Sequence, residues 1–557
     1  MSVILWPLLP VDAWSAVSVY CPIRDLARAR ACSSDGGAAA ALSAALARLT
    51  SIDLGKLLPS RDVLGVVWAR CPALESATGI HCSGLLPKQR QASPDGTASS
   101  TEEGAAQEPA SSSSLVAEHP TLRAPLPNLP APCRKLALRF DDAWSSSESA
   151  EFVAAAAVWL QRPLEHLSIA WNPTGSGGRA EESVQAAAEM VATDWRLPAV
   201  RSLSVQLVPP ALGTAILHRA LNDGAQLRSV HLVDTALPPV GSSFWRALEE
   251  FFYRCDSGPR GIDDSLLAHL GSAAPRLKTL RLVDQRRQRD PSMPITPSVS
   301  TQGLRSLKPL LSGLQELRLA RICGPLCNAP DIDLLMLLSC SLGSDLRRLH
   351  LEGFPRLSDA ALLEMLTFLQ AEVDKGLEAL RLLGTGVTDA AFVNGLCDAF
   401  RPSLRELRLS GNPGVTDTAL GCLAEGGWCN KLERLALGGG GFGDTGISAV
   451  LSEAHALRCL YLIDCSISDE TFARLAVEAP HLQDLGIAGC TALSEQGLQA
   501  MQRLPLQSLR IDSCTRISNH AMSEFLQELG PKLTSLSIER CNGLGNACLH
   551  PLRDGAR

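Results

Sequence analysis

The sequence predicts an α/β solenoid in which short parallel strands line a concave sheet and helices form the convex layer. Three observations carry that expectation. The phrase L-x-x-L-x-L recurs along nearly all of the 557 residues, and in the last third it returns every 24 to 28 residues, at Leu404, Leu432, Leu457, Leu482, Leu506 and Leu533. Cys or Asn often stands three residues beyond its final apolar position, as at Asn412, Cys465, Cys490, Cys514 and Cys541. Helix-start chemistry then follows: Thr416-Asp417, Ser468-Asp469 and Ser494-Glu495 each place a hydroxyl at an N-cap and an acid in the first turn. One strand plus one helix cannot bury its own apolar face, so the units must stack.

Taken in chain order, a partial phrase at Leu49 to Leu54 and a degenerate entry, Cys71-Pro72-Ala73-Leu74, place irregular first repeats at residues 49–87. Residues 88–130 are rich in Ser, Ala, Pro and Glu, cannot bury enough apolar surface to offset their ordering entropy, and are predicted to be a disordered linker. Weaker copies begin at Cys133, Leu164, Val200, Leu227, Leu277, Leu314, Leu346 and Leu377, which with the six clear ones make fourteen units over residues 131–557. Entries such as Ala479-Pro480-His481-Leu482 and Arg401-Pro402-Ser403-Leu404 end one helix and pre-set the next extended segment. Phe244 to Phe252 (FWRALEEFF) reads as an apolar helix outside the regular layer, and Gln285 to Ser300 as a loop insertion. The Cys-ending phrase resembles the leucine-rich repeat in its Cys-containing subtype, which implies a horseshoe.

Composition narrows the function. Hydrophobic residues form 46% of the chain and aromatic residues 4%, which suits layers of Leu, Ala and Val. A net charge of −7 with no long single-sign run argues against a general nucleic-acid binder. Eighteen cysteines without a basic-then-apolar leader read as reduced thiols of a cytoplasmic or nuclear protein. No stretch approaches the roughly 18 uninterrupted apolar residues of a membrane span, so no membrane partner is expected. Stacking would bring Cys465, Cys490, Cys514 and Cys541 about one strand spacing apart, ~4.8 Å. Without a C-x-x-C pair, however, they read as structural thiols and not as a metal site. Gly438 to Gly441 lacks the Lys-Ser/Thr of a phosphate-cradling loop and belongs to a turn. Neither G-x-S-x-G nor a paired-carboxylate cluster appears, so a non-catalytic chain without cofactors is expected.

Residues 1–48 differ in kind. Leu9-Pro10 starts a short amphipathic helix, Pro22 stops it, and Asp25 caps the next one. Leu9, Pro10, Trp14, Val17, Pro22, Ile23 and Leu26 form an apolar set suited to docking on a partner helix, or else to capping the first repeat. Leu9-Pro10 with Asp12, then Tyr20-Cys21-Pro22-Ile23-Arg24-Asp25-Leu26, then Arg28 and Arg30 alternating with Ala, resembles the F-box. The chain departs from that pattern at Ser33 to Gly37 and at Ala13, Ala27, Ala29 and Ala31. The resemblance implies a small helical segment that binds a Skp-family adaptor joined to a cullin. The repeats would then hold a protein substrate for ubiquitin-dependent degradation by an SCF-type ligase, and the chain would supply proximity rather than chemistry. A free-standing interaction scaffold is the alternative.

Side chains alternate across a strand, so the residue between the last two apolar positions of each phrase faces the concave side. That position holds His231, Arg281, Arg318, His350, Arg381 and Arg408 in what reads as six successive repeats, then Ala436, Tyr461 and Gly486, and later Arg510. At ~4.8 Å per strand the first six extend over about 24 Å. His231, Arg281, Arg318, His350, Arg381, Arg408, Tyr461 and Arg510 are assigned to substrate binding. Paired guanidinium donors there suit an acidic or phosphorylated peptide. Glu316, Glu352 and Glu406 fall on the same face and offer the competing arrangement, a solvated ladder in which they neutralise the arginines. An RNA groove would need those acids to be absent.

Overall fold

The computed structural model describes residues 51–53, 64, 68–69, 71–81, 127–141, 153, 156–172, 181–223, 226–235, 243–256, 261–285, 299–322, 345–360, 362–363, 377–393, 404–439 and 441–549. Residues 1–48, with the F-box-like set Leu9, Pro10, Trp14, Val17, Pro22, Ile23 and Leu26, lie outside the described residues, as do most of the 88–130 segment and positions 286–298 of the insertion. The chain divides into two compact units, Met1–Gln226 with Thr235–Pro238, and Leu227–Asp234 with Pro239–Arg557. Each is a leucine-rich repeat solenoid.

In the first unit, β1 (Ser51–Asp53), β2 (Ser76–His81), β3 (Lys135–Asp141), β4 (His166–Asn172) and β5 (Ser202–Gln206) pair in parallel, each with the next. The irregular phrases at 49–87 therefore do contribute strands. Helices Glu181–Asp194 and Pro210–Asn222 carry the helical layer here. Trp159 and Trp195 are buried, and their indole N–H groups donate to Pro127 O (2.8 Å) and Val153 O (2.9 Å), because a buried indole requires an acceptor.

The second unit holds twelve strands among its described residues. They are β6 (Ser229–Val233), β7 (Glu250–Cys255), β8 (Thr279–Asp284), β9 (Glu316–Ala320), β10 (Arg348–Glu352), β11 (Ala379–Leu383), β12 (Glu406–Ser410), β13 (Arg434–Gly438), β14 (Cys459–Ile463), β15 (Asp484–Ala488), β16 (Ser508–Asp512) and β17 (Ser535–Glu539). All neighbours are parallel and in register. Leu317, Leu349, Leu380, Leu407, Leu435, Leu460, Leu485 and Leu509 form one buried row along the sheet, and Leu319, Leu351, Leu382, Leu409, Leu437 and Leu462 a second. Burying each such side chain contributes about 1.5–3 kcal/mol, so these rows dominate the stability of the array. The helices are short, and none among the described residues is long and apolar enough to cross a membrane.

Contrary to the sequence expectation, Phe244 to Phe252 is not a helix outside the layer. A 3-10 turn over Ser243–Ala247 leads into β7, a full member of the sheet. The reason is that Leu248, Phe251 and Tyr253 occupy the three leucine positions of the phrase and are buried there. Aromatic rings hide the motif while preserving its alternation.

Helix caps tie each repeat to the next. Thr416 caps the helix Asp417–Glu425, accepting from Thr418 N. Its own N–H and Oγ1 donate to Asp389 in the preceding repeat, at 2.7 and 2.6 Å. The same bond joins Asp359 to Thr388 N (2.7 Å), Asp417 to Gly443 N (2.7 Å), Asp469 to Ser494 N (2.9 Å) and Asn519 to Gly545 N (2.8 Å). The residue after each of these caps thus satisfies a donor one repeat on, and where it is an aspartate it also serves its own helix dipole.

The Cys/Asn position works similarly at the strand's other end. Sγ of Cys465, Cys490 and Cys541 donates back to Leu437 O (3.8 Å), Leu462 O (3.7 Å) and Ile511 O (3.9 Å) of the preceding strands. Asn412 donates to Leu382 O (2.8 Å) and accepts from Thr385 N and Oγ1 (both 2.8 Å). Burial pushes the Cys514 thiol up to about 12, so it stays an inert thiol. Just before this position the backbone turns left-handed, at Gly353, Gly384, Gly411, Gly439 and Gly489 and also at Asp234, Arg321 and Asp464. Gly439 places that turn within the Gly438 to Gly441 run.

Candidate functional site

Pairing places His231, Phe252, Arg281, Arg318, His350, Arg381 and Arg408 in one column across β6 to β12. The six expected residues are thus brought together, but not in consecutive strands. Phe252 stands between His231 and Arg281, its ring edge-on to the imidazole with centroids 4.0 Å apart. Seven strands give a column of about 29 Å at ~4.8 Å each.

Three carboxylates organise the arginines. Glu316 receives both Nε and Nη2 of Arg281, at 2.6 and 2.8 Å, with Arg348 at 3.7 Å. Glu352 receives Arg321 at 2.8 Å and has Arg318 at 3.8 Å. Glu406 receives Arg381 at 2.8 Å and Arg408 Nε at 2.6 Å, with Arg434 at 4.0 Å. Burial alone would raise Glu316 and Glu406, but the guanidinium groups outweigh it and hold both carboxyls below their ordinary value. Glu352 is lowered as well, first by His350 and then by Arg321 and Arg318, against its burial.

The two histidines add no charge near neutral pH. Desolvation lowers His231, and Arg281 and Arg254 lower it further. Desolvation also lowers His350, with Glu352 opposing and Arg318 and Arg381 reinforcing. The column is therefore arginine-basic, with imidazoles as neutral polar groups. Arg281, Arg318, Arg321, Arg348, Arg381, Arg408 and Arg434 face Glu316, Glu352 and Glu406, and Glu250 on β7 adds a fourth carboxylate beside Arg281, so seven cations meet four anions. The neutralising ladder is real, yet it leaves the face cationic. The acids that an RNA groove would have to lack are present and engaged.

Sequence reasoning about the middle position missed Arg348, Arg434, Arg321 and Phe252. Arg348 and Arg434 sit two residues earlier in their strands, also pointing outward, and a second column read at that offset would have found them. Arg321 occupies the left-handed turn after β9 (φ 55°), which no motif announces.

Past β12 the column changes character to Ala436, Tyr461 and Gly486. Tyr461 and Ile463 are 37% and 41% exposed, uncommon for apolar side chains on this sheet. The Tyr461 ring lies across Gly486, where a Cβ would stand 2.4 Å from its Cδ1, and Ile463 pairs with Gly438, where a Cβ would stand 3.0 Å from Ile463 Cβ. Arg510 resumes the column on β16, paired with Glu539 at 3.3 Å. Tyr461 and Arg510 thus share the face with the other assigned residues but not the arginine cluster. Among the described residues no group of three or more His, Cys, Asp or Glu is placed to hold a metal ion.

Comparison with known families agrees with this fold. The repeats around β12 and β13 match the family described as "Leucine Rich repeat", at residues 402–424 and 429–451. Among solved structures the chain is similar to one described as "Crystal structure of Rad7 and Elc1 complex in yeast". The identity is 16%, the TM-score 0.45, and the match covers 70% of this chain and 88% of that one.

Proposed function

We propose that this chain is a non-catalytic substrate receptor. The open sheet face of the second unit captures an extended acidic or phosphorylated segment of a protein. The F-box-like residues 1–48 then join it to a Skp-family adaptor and cullin, so that the captured protein is ubiquitinated by an SCF-type ligase. The observation that carries the binding half is the charge excess on a continuous register of strands in a chain whose net charge is −7. Cations concentrated against the sign of the whole molecule mark a surface for an anionic partner. Support for the ligase half is the sequence resemblance at Leu9, Pro10, Trp14, Val17, Pro22, Ile23 and Leu26.

Co-purification from cells tests both halves. Wild-type chain is expected to bring down adaptor, cullin and a protein partner. Leu9→Ala with Pro22→Ala is expected to lose the first two and keep the third, and Arg318→Glu with Arg348→Glu to do the reverse. Adaptor and cullin missing from the wild-type sample would leave a free-standing interaction scaffold.

A further inference from the structure

We propose that Arg318, His350 and Arg381, side by side on β9, β10 and β11, form a seat for one tetrahedral oxyanion, and that His350 takes up a proton as the anion enters. The seat rests on the open face being the binding surface, and it names the chemical group recognised at the centre of that face.

The three residues are direct cross-strand partners, so their Cα atoms step across the sheet at ~4.8 Å each. Two long guanidinium side chains flank a short imidazole, and that of Arg381, now turned to Glu406 on β12, joins the seat by exchanging that carboxylate for the anion. These donors are not equally occupied. Arg281 and Arg381 hold carboxylates at hydrogen-bond distance, whereas Arg318 has its nearest carboxylate at 3.8 Å and its buried Nε without a hydrogen-bond partner. Only 10% of the His350 side chain is exposed, and neither ring nitrogen has a hydrogen-bond partner. Its Nε2 lies 3.5 Å from a Glu352 oxygen, close enough to lower that carboxyl but outside hydrogen-bond geometry. Buried polar atoms left unpaired in a folded protein are few, and three of them lie on these two cross-strand neighbours.

The shape of the donor set selects the ligand. Glu316, Glu352 and Glu406 already supply planar carboxylates, and a partner's carboxylate would only exchange with one of them. Donors from three adjacent strands call for a third acceptor oxygen and a second negative charge, which a phosphate monoester supplies. Groups facing His350 are Glu316 and Arg318 from β9, Arg321 in the turn after it, Arg348 and Glu352 on its own strand, and Arg381 from β11. The flanking arginines oppose protonation of the imidazole. A dianion between them cancels that opposition, and a proton from solvent then gives His350 a second N–H for the anion. Apart from that proton transfer, which forms an N–H bond on the imidazole and breaks one in the solvent or buffer acid, no covalent bond changes.

Isothermal titration of the full chain with sulfate, at constant ionic strength and in two buffers of unlike ionisation enthalpy, tests this directly. Sulfate stays fully ionised near neutrality, so any proton taken up belongs to the protein. The expected result is saturable binding, about fivefold or more tighter near pH 6 than near pH 8, with net proton uptake. His350→Gln is expected to abolish the uptake and the pH dependence. Arg318→Lys, which keeps the charge and loses the fork, is expected to weaken binding about tenfold. Acetate at matched ionic strength is the carboxylate arm. Acetate binding as tight as sulfate, no saturable sulfate binding, or pH dependence surviving in folded His350→Gln would each overturn the proposal. Protein capture without sulfate binding removes the seat and leaves the receptor; sulfate binding without capture does the opposite.

Discussion

Glu406→Gln separates charge from shape at the hinge of the arginine cluster. The carboxylate side chain is only 7% exposed and holds Arg381 at 2.8 Å and Arg408 at 2.6 Å. Glutamine fills the same volume and keeps one acceptor, but turns an NH2 toward a guanidinium. One charge-assisted hydrogen bond is lost, worth about 1.5–3 kcal/mol. The ion-pair part must be discounted, because Arg381 and Arg408 are themselves 29% and 39% exposed. Arg434, at 4.0 Å, adds nothing measurable. The expected loss is about 2 kcal/mol, or roughly thirtyfold in the protection of amides that open with this region. Amide hydrogen exchange over β11 to β13 is the appropriate assay, since a repeat array need not unfold in one step. The folded-state pKa of Glu406 lies below its ordinary value, so the stabilisation is present above the unfolded value and disappears as pH falls through the folded one. Wild type and variant should therefore converge only as pH falls below that depressed folded-state value. A gap that persists in acid, or no gap at pH 7, refutes the electrostatic account.

Other positions isolate other links. Asp389→Ala removes both bonds to Thr416 and is expected to cost about 3 kcal/mol in local amide protection, against about 1 kcal/mol for Asp389→Asn, which keeps an acceptor; equal losses would discount the cap-to-cap bond. Gly489→Ala puts a methyl 1.9 Å from Asp464 Oδ1 at a left-handed turn, whereas Gly421→Ala in the helix Asp417–Glu425 meets nothing within 4 Å. The first should destabilise by at least about 1–2 kcal/mol and the second stabilise by up to about 1 kcal/mol in the same assay. Because the folded pKa of His350 is depressed, its neutral state favours folding above its ordinary value of 6.5 and that benefit shrinks as pH falls below it. Thermal unfolding between about pH 7.5 and pH 5.5 should show a slope that His350→Gln reduces.

The strands were legible because leucine at two-residue spacing, returning at this period, fits little besides a stacked strand buried on one face. β7 escaped because Phe251 and Tyr253 satisfy the same burial with rings, and FWRALEEFF viewed alone has helical spacing. The outward column was legible from alternation, but its chemistry was not. Which arginine is spent depends on cross-strand distances: Arg281 is clamped by Glu316, while Arg318, with the same neighbours in sequence, is nearly free. The histidines likewise carry no mark in sequence of the desolvation and flanking cations that keep them neutral. In Thr416-Asp417 the sequence reveals a cap and a dipole partner, yet the bond from the acid to the following repeat exists only once stacking has brought the two helix starts together.

The near-balance of the arginine cluster bears on how the face would select a ligand. An anion entering it must take arginines from Glu316, Glu352 or Glu406, so most of each new contact offsets one that is lost, and a single charge gains little. Net attraction comes from the excess cations and from the less-occupied Arg318. Strength must then come from elsewhere, and the glycine-backed platform of Tyr461 and Ile463 lies two strands beyond Arg408 on the same register. Apolar contact there is not exchanged against an internal partner. A segment that places an apolar side chain on the platform and anionic groups along the cluster would use the first for affinity and the second for discrimination. Tyr461→Ala is accordingly expected to speed dissociation of the captured protein, while Arg348→Ala mainly slows its association and flattens the salt dependence. Surface plasmon resonance of the captured partner distinguishes them, and equal effects on both rates from both variants would dissolve the division of labour.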